Sequence, residues 1–310
     1  MSKTGDDATA PPATRTPNSV VLAVAVLAVV LWGGSPVATK LAVNEIDPVA
    51  VGVLRTILAT LVAAPAALLL RCAIPRTRSQ AALLAVSALG GFAVFPVVYS
   101  IGLGFTSAAH AALILAGLPL LTGLFAALLE RQVPPRRWWI GAAIAMAGEV
   151  LLVASRTGLE ADGSSVFGDL IVAAACIGAA MGYVAGGRLS QSLGTWPTTL
   201  WGITVGGVVV LPVLPFVVGG VAWTAASPLA YGGIAYGAFV TSILGYVAWY
   251  WALGKGGIGR IATIQFGLPV VALALAVVIL DEAITLPIVI AASFILAGIW
   301  IVQRRHTKDQ

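Results

Sequence analysis

Residues 108–130, AAHAALILAGLPLLTGLFAALLE, form an apolar run long enough to cross a bilayer, and its pattern returns 150 residues later. Gly117-Leu118-Pro119 recurs as Gly267-Leu268-Pro269, and Ala112, Ile114 and Ala126 meet Ala262, Ile264 and Ala276 without a gap. Proline has no N–H, so a helix through it frees the carbonyl four residues back, here those of Leu115 and Gln265. In hydrocarbon such a carbonyl needs a partner within the protein or a watered cavity. A matched pair of broken helices in two related halves points to a central binding site of the kind membrane carriers use.

Composition leaves little room for a soluble fold. Hydrophobic residues make up 59% and charged residues 9% of the chain, and mean hydropathy is +1.01. Windows around 20–39, 82–103, 107–129 and 264–280 carry almost no charge and read as membrane helices. The net charge of +5 lies in short loops rather than on one helix face or tail, which argues against nucleic acid as a partner. Cys72 and Cys176 lie in or beside apolar runs and read as packing residues, not as a disulfide pair.

The chain reads as ten spans. Residues 1–18 are a polar, disordered tail, and the first apolar run, 19–43, is too long for a signal-peptide core. Further helices fall at about 48–70, 80–103, 108–130, 138–154, 168–189, 196–218, 228–253, 259–280 and 286–302. Residues 155–167 are the hinge between a first repeat, 19–154, and a second, 168–303; a basic tail, 304–310, closes the chain. With the N-terminus cytoplasmic, fourteen basic residues fall inside and only Lys40 and Arg156 outside, with Arg55 within helix 2. That asymmetry follows the positive-inside rule and puts both termini in the cytoplasm.

The offset of 150 continues through helices 5 and 10, where Ala147-Gly148 meets Ala297-Gly298, and through helices 3 and 8, where Tyr99 meets Trp249. Five helices per half is an odd number, so the second half enters the membrane from the opposite face. An all-α, polytopic membrane protein of two five-helix inverted-topology repeats is therefore expected. Two such halves offer mirror-related inward- and outward-open states, the basis of alternating access.

Ten spans in two halves resemble the drug/metabolite transporter superfamily, specifically the EamA-like permeases with two EamA domains. The likeness is carried by Leu31-Trp32-Gly33-Gly34-Ser35 with Lys40, by Arg55, and by Ala111-Ala112-Leu113-Ile114 through Gly117-Leu118-Pro119 to Glu130. Gly267-Leu268-Pro269 to Asp281-Glu282 repeats the last of these, and the likeness spans about residues 20–303. The resemblance implies a secondary carrier of the plasma (inner) membrane, an exporter of amino acids or other small metabolites with its substrate in a central cavity. It also implies that helices 5 and 10 are peripheral, and it leaves coupling to H+ open.

Individual polar residues carry two readings each. Arg55 lies about 10 Å below the outer end of helix 2. It could snorkel, pair with a loop acid such as Glu45, or bind a substrate carboxylate. Glu149, the only acid well inside a span, is the formal candidate for proton coupling against a helix-contact role; His110 could titrate near neutral pH or be a satisfied polar contact. Tyr246, Trp249 and Tyr250 share a face of helix 8, with Tyr99 their partner by repeat, and could line the cavity or form an interfacial belt. Trp32 and Tyr183, at nearly equivalent mid-span positions, are cavity-wall candidates, as are Pro119 and Pro269 as bends. Gln265 could bond substrate or a neighbouring helix.

No HExxH, CxxC, nucleophile triad or Walker A motif is present, so neither an enzyme nor a cofactor or metal is implied. The leading expectation is a carrier of a small organic solute in the lipid bilayer. The alternatives are a non-transporting scaffold, a membrane enzyme or a channel. Substrate, direction, coupling ion and oligomeric state are not encoded in any motif.

Overall fold

The structure is a computed structural model that describes residues 17–106, 111, 114–115, 117–156, 165–221, 223–268, 270–271 and 286–303. Side chains of residues 149, 152–156, 287 and 288 lie outside the description. Every element among the described residues is helical. In chain order these are α1 (Asn18–Val43), α2 (Pro48–Leu69), α3 (Arg78–Phe105), α4 (Leu118–Glu130), α5 (Arg136–Arg156), α6 (Val166–Leu193), α7 (Thr195–Val218), α8 (Pro228–Gly256), α9 (258–267) and α10 (Leu286–Gln303). Six of them, α1, α2, α3, α6, α7 and α8, are long and apolar enough to cross a membrane. Of the others, α4 and α9 border residues outside the description, and α5 carries Arg136, Arg137 and Glu149.

Local chemistry sets the helix starts. Pro48 and Pro228 stand in the first turns of α2 and α8, where a missing N–H costs nothing. Asp47, Thr77, Ser165 and Ser227 each accept from a backbone N–H in the first turn of α2, α3, α6 and α8. Gly194 (φ 95°) and Gly257 (φ 86°) turn the chain between α6 and α7 and between α8 and α9, in a conformation only glycine adopts without strain. Within α1 the helix breaks at Gly34, and the Leu31 carbonyl accepts instead from the Tyr236 hydroxyl at 2.8 Å.

Pro119 is placed differently from the expected mid-helix kink. The chain turns at Gly117, whose N–H bonds the Ile114 carbonyl, and α4 restarts at Leu118, so buried Pro119 sits in a first turn. Residues 263–267, at the equivalent offset, form a 3-10 stretch that includes Gln265. Both stretches therefore depart from a continuous α-helix. Pro269 lies outside the described residues, as do His110 and most of the expected hinge.

Small residues let helices approach closely. Gly141 lies against the Gly298 carbonyl and Gly148 against the Ala291 carbonyl, so α5 and α10 run antiparallel as a pair. This pair has its own small core of Trp138, Ala142, Ala145, Ala291, Ile295 and Val302. Between α2 and α7, Thr60 bonds the Ile203 carbonyl at 3.1 Å and Val53 packs with Val210, again an antiparallel crossing. The main core is shared by α1, α3, α6 and α8, with Gly90 of α3 against Gly178 of α6 and Gly182 against Gly91.

Polar ties hold the helix ends. Lys40 Nζ donates to the carbonyls of Leu103 (2.9 Å) and Thr106 (3.2 Å), closing the C-terminus of α3, while the Thr106 hydroxyl bonds Asp169 at 2.6 Å. Glu45 accepts from the Ser227 N–H (2.6 Å) and hydroxyl (2.7 Å), which joins the α1–α2 turn to the start of α8. The Ser227 side chain first, and then its backbone N–H, hold the Glu45 carboxyl below the usual carboxylate range. A depressed folded pKa contributes stability that is full above the unfolded value of about 4.3 and is lost as pH falls through the folded one. Glu45→Gln should therefore lower the melting temperature near neutral pH, with the gap to wild type closing in acid. A gap independent of pH would contradict this role.

Candidate functional site

The middle of the bundle is built on two π-helical stretches, Ala88–Val94 in α3 and Tyr236–Gly245 in α8. Both are rich in small residues, including Gly90, Gly91, Gly237 and Gly245, which tolerate a wide turn and close neighbours. A π turn bonds i to i+5, so entering and leaving it gives some carbonyls spare acceptor capacity. Side chains from other helices use that capacity. Tyr246 donates to the Gly91 carbonyl (3.0 Å) and Thr56 to that of Phe92 (3.1 Å). Trp32 Nε1 donates to the Thr241 carbonyl (3.1 Å), and Arg55 Nε to that of Gly237 (3.1 Å). Gly91 and Thr241, which accept from Tyr246 and Trp32, are 150 residues apart, the repeat offset.

Aromatic rings fill the space between these stretches. Trp32 and Tyr183 stack with centroids 5.4 Å apart and planes at 12°. Tyr246 and Trp249 meet Trp32 at 5.4 and 5.3 Å, and Phe92 lies 4.3 Å from Tyr246. The Tyr183 hydroxyl is directed at the side chains of Tyr246 and Gln265. Tyr99 stacks on Phe95 at 5.1 Å. Glycines let the rings in: a Cβ at Gly245 would stand 2.3 Å from Trp32 Nε1, and one at Gly186 would stand 2.2 Å from Tyr250 Cζ.

Arg55 lies within this core and is 2% exposed. Its stem crosses Gly237, where a Cβ would come within 2.7 Å of Arg55 Cδ. Only Nε finds a backbone acceptor; Nη1 is buried with no hydrogen-bond partner. Three tyrosines, Tyr246, Tyr99 and Tyr183, are within electrostatic reach of the guanidinium. The described acids are engaged or located elsewhere: Glu45 with Ser227, Asp47 with the Ala50 N–H, Asp169 with Thr106, and Glu130 at a cleft between α4 and α5. The Tyr99 hydroxyl, Gln265 Oε1, Thr241 Oγ1 and Trp249 Nε1 are also buried without a partner. Natural cores leave few such atoms, and these lie among the rings and π stretches of one centre.

The sequence-selected residues thus divide. Trp32, Arg55, Tyr99, Tyr183, Tyr246 and Gln265 are all buried in the core, and Pro119 is buried at the start of α4. The interfacial-belt reading of Tyr246, Trp249 and Tyr250 is overturned: all three are at most 1% exposed. Half-exposed tryptophans near helix ends, Trp139, Trp196 and Trp300, are better placed for that role. Snorkelling of Arg55 and its pairing with Glu45 are overturned too, by burial of the first and by the engagement of Glu45 with Ser227. Glu149 lies on α5, beside Gly148 in the α5–α10 pair, with its side chain outside the description. Sequence reasoning missed Phe92, Thr56 and Thr241; the nearby glycine clusters were the available signal.

The described residues thus form a helical, multi-pass membrane bundle with a polar, aromatic-walled centre. The EamA-like transporter family model matches twice, over residues 19–154 and 166–304, and the chain belongs to that family. It is 33% identical over 258 residues to the uncharacterized transporter YdeK of Bacillus subtilis (strain 168), covering 83% of this chain and 88% of that protein. It is 27% identical over 288 residues to a probable amino-acid metabolite efflux pump of Salmonella typhimurium (strain LT2), covering 89% and 92%. A solved crystal structure of a protein 20% identical in sequence superposes with a TM-score of 0.73 over 91% of this chain and 98% of that one, which shows the shared fold. The chain is a membrane transporter of this family.

Proposed function

We propose that this transporter is a secondary carrier of the plasma membrane that moves a small organic solute by alternating access between two inverted five-helix halves, ten spans in all. The single observation that carries the reading is the cluster of buried, unpartnered polar atoms, Arg55 Nη1, Tyr99 OH and Gln265 Oε1, within one aromatic-walled centre. A scaffold would gain stability by satisfying or deleting them; a carrier leaves them for its solute.

The inverted arrangement is supported by the antiparallel pairing of α5 with α10 and of α2 with α7, each helix meeting its own repeat mate. It is also supported by the π stretches at matching positions of α3 and α8. The efflux-pump relative favours export as the direction. The inverted halves predict that a cysteine at residue 160 and one in the C-terminal tail react with impermeant reagents from opposite faces; reaction from the same face would end the arrangement.

The functional test is a metabolite-mixture flux assay on the purified protein in liposomes, with and without an imposed pH gradient. The expected result is saturable movement of a subset of solutes above protein-free vesicles. Movement of none would refute the carrier, and ungated electrical conductance would point to a channel.

A further inference from the structure

The geometry points to Arg55 as the binding residue for a carboxylate, so that the solute is a small organic acid or bears a carboxylate group. This deepens the carrier reading and rests on it. A guanidinium taken out of water needs an anionic partner or several acceptors, and Arg55 has one backbone acceptor, the Gly237 carbonyl, on Nε. Gly237 fixes the stem by admitting it at a distance no side chain would allow, so the charge is held in place rather than free to reach a membrane surface. With Nε committed, the outer edge of the guanidinium, where Nη1 is unpartnered, is left to meet an anion end-on.

The surroundings select among anions. Tyr99 carries a buried hydroxyl without a partner and lies within electrostatic reach of Arg55, so it can donate a second hydrogen bond to a carboxylate oxygen. The Tyr246 hydroxyl is already spent on the Gly91 carbonyl. The remaining wall is mainly aromatic, Trp32, Tyr183, Tyr246 and Trp249, whose ring faces suit the carbon skeleton of an organic acid better than a strongly hydrated inorganic ion.

The test uses the full chain, purified, in lipid nanodiscs at neutral pH, with binding read by calorimetry. The probes are butyrate, hexanoate and phenylacetate, each against its primary amide, with chloride, sulfate and phosphate as inorganic arms. For wild type, at least one acid should bind about tenfold to a hundredfold tighter than its amide, the range expected of a charge-assisted hydrogen bond. That preference should collapse to about one in Arg55→Met and be partly kept in Arg55→Lys. The wild-type comparison needs no mutant to fold. Equal affinity for acid and amide, no binding of any acid, or sulfate or chloride binding as tightly as the acids would each overturn the assignment. If neutral solutes are carried in liposomes while acids show no preference, the carboxylate assignment falls and the carrier stands. If nothing in the metabolite mixture moves, the carrier itself falls.

Discussion

Arg55→Met is expected to abolish solute flux while leaving the protein as stable as wild type, or more so. A buried cation with an unpartnered Nη1 is a net cost, and an apolar side chain of similar length keeps most of the packing of its stem. Replacing buried ion pairs with packed apolar groups is often neutral or stabilising by about 1–4 kcal/mol, and Arg55 has not even an anionic partner among the described residues. The Gly237 carbonyl, which loses the Arg55 Nε donor, still accepts from the Ser242 hydroxyl at 2.9 Å, so no acceptor is stranded. Flux in liposomes should fall by at least about tenfold. Thermal unfolding of the same preparation is the control: a lower midpoint together with lost flux would make Arg55 a structural residue. Stability traded for a functional charge is the pattern that separates a binding site from a core.

Gly182→Leu should have the opposite profile, losing folded protein altogether. A Cβ at Gly182 would stand 2.7 Å from the Gly91 backbone nitrogen and 3.0 Å from its Cα, at the crossing of α3 and α6. Backbone atoms in a π stretch packed on both sides cannot shift singly, so the two helices must separate. Overpacking costs about 1–3 kcal/mol where neighbours relax and more where they cannot. The readout is the monodisperse fraction after detergent extraction. Gly232→Ala is the matched control, since a Cβ there meets nothing within 4 Å and alanine favours the helix. Comparable yields for the two variants would show that the α3–α6 crossing is not the close contact described.

Much of this architecture was legible in the residue pattern because burial in a bilayer writes a coarse code. Long apolar runs and the polar loops between them gave the positions of α1, α2, α3, α6, α7 and α8 to within a few residues. The offset of 150 picked out Trp32 and Tyr183 as near-equivalents, and the two rings stack in the core. Arg55 stood out as a charge inside a span, but sequence could not say whether it snorkels, because that depends on where Gly237 lies 182 residues on. The burial of Trp249 and Tyr250 was illegible for a related reason. Position along a helix does not give burial, and neighbours on α3 and α6, among them Ser87 and Gly186, enclose Tyr250. The π stretches left no periodic signature at all, since one added residue per turn is indistinguishable from ordinary glycine-rich helix.

The wide turn in α3 has a consequence for how the chain tolerates length changes. An α-helix advances about 100° per residue, so deleting one amino acid between Ala88 and Val94 would let the segment relax to ordinary winding. Everything downstream would keep its phase, because the wide turn holds one residue more than the α-helical turn that would replace it. Tyr99 would still face the centre of the bundle, and Lys40 would still find the terminal carbonyls it ties down. The rod would still reach across the bilayer in register, but without the spare carbonyls that now accept from Tyr246 and Thr56.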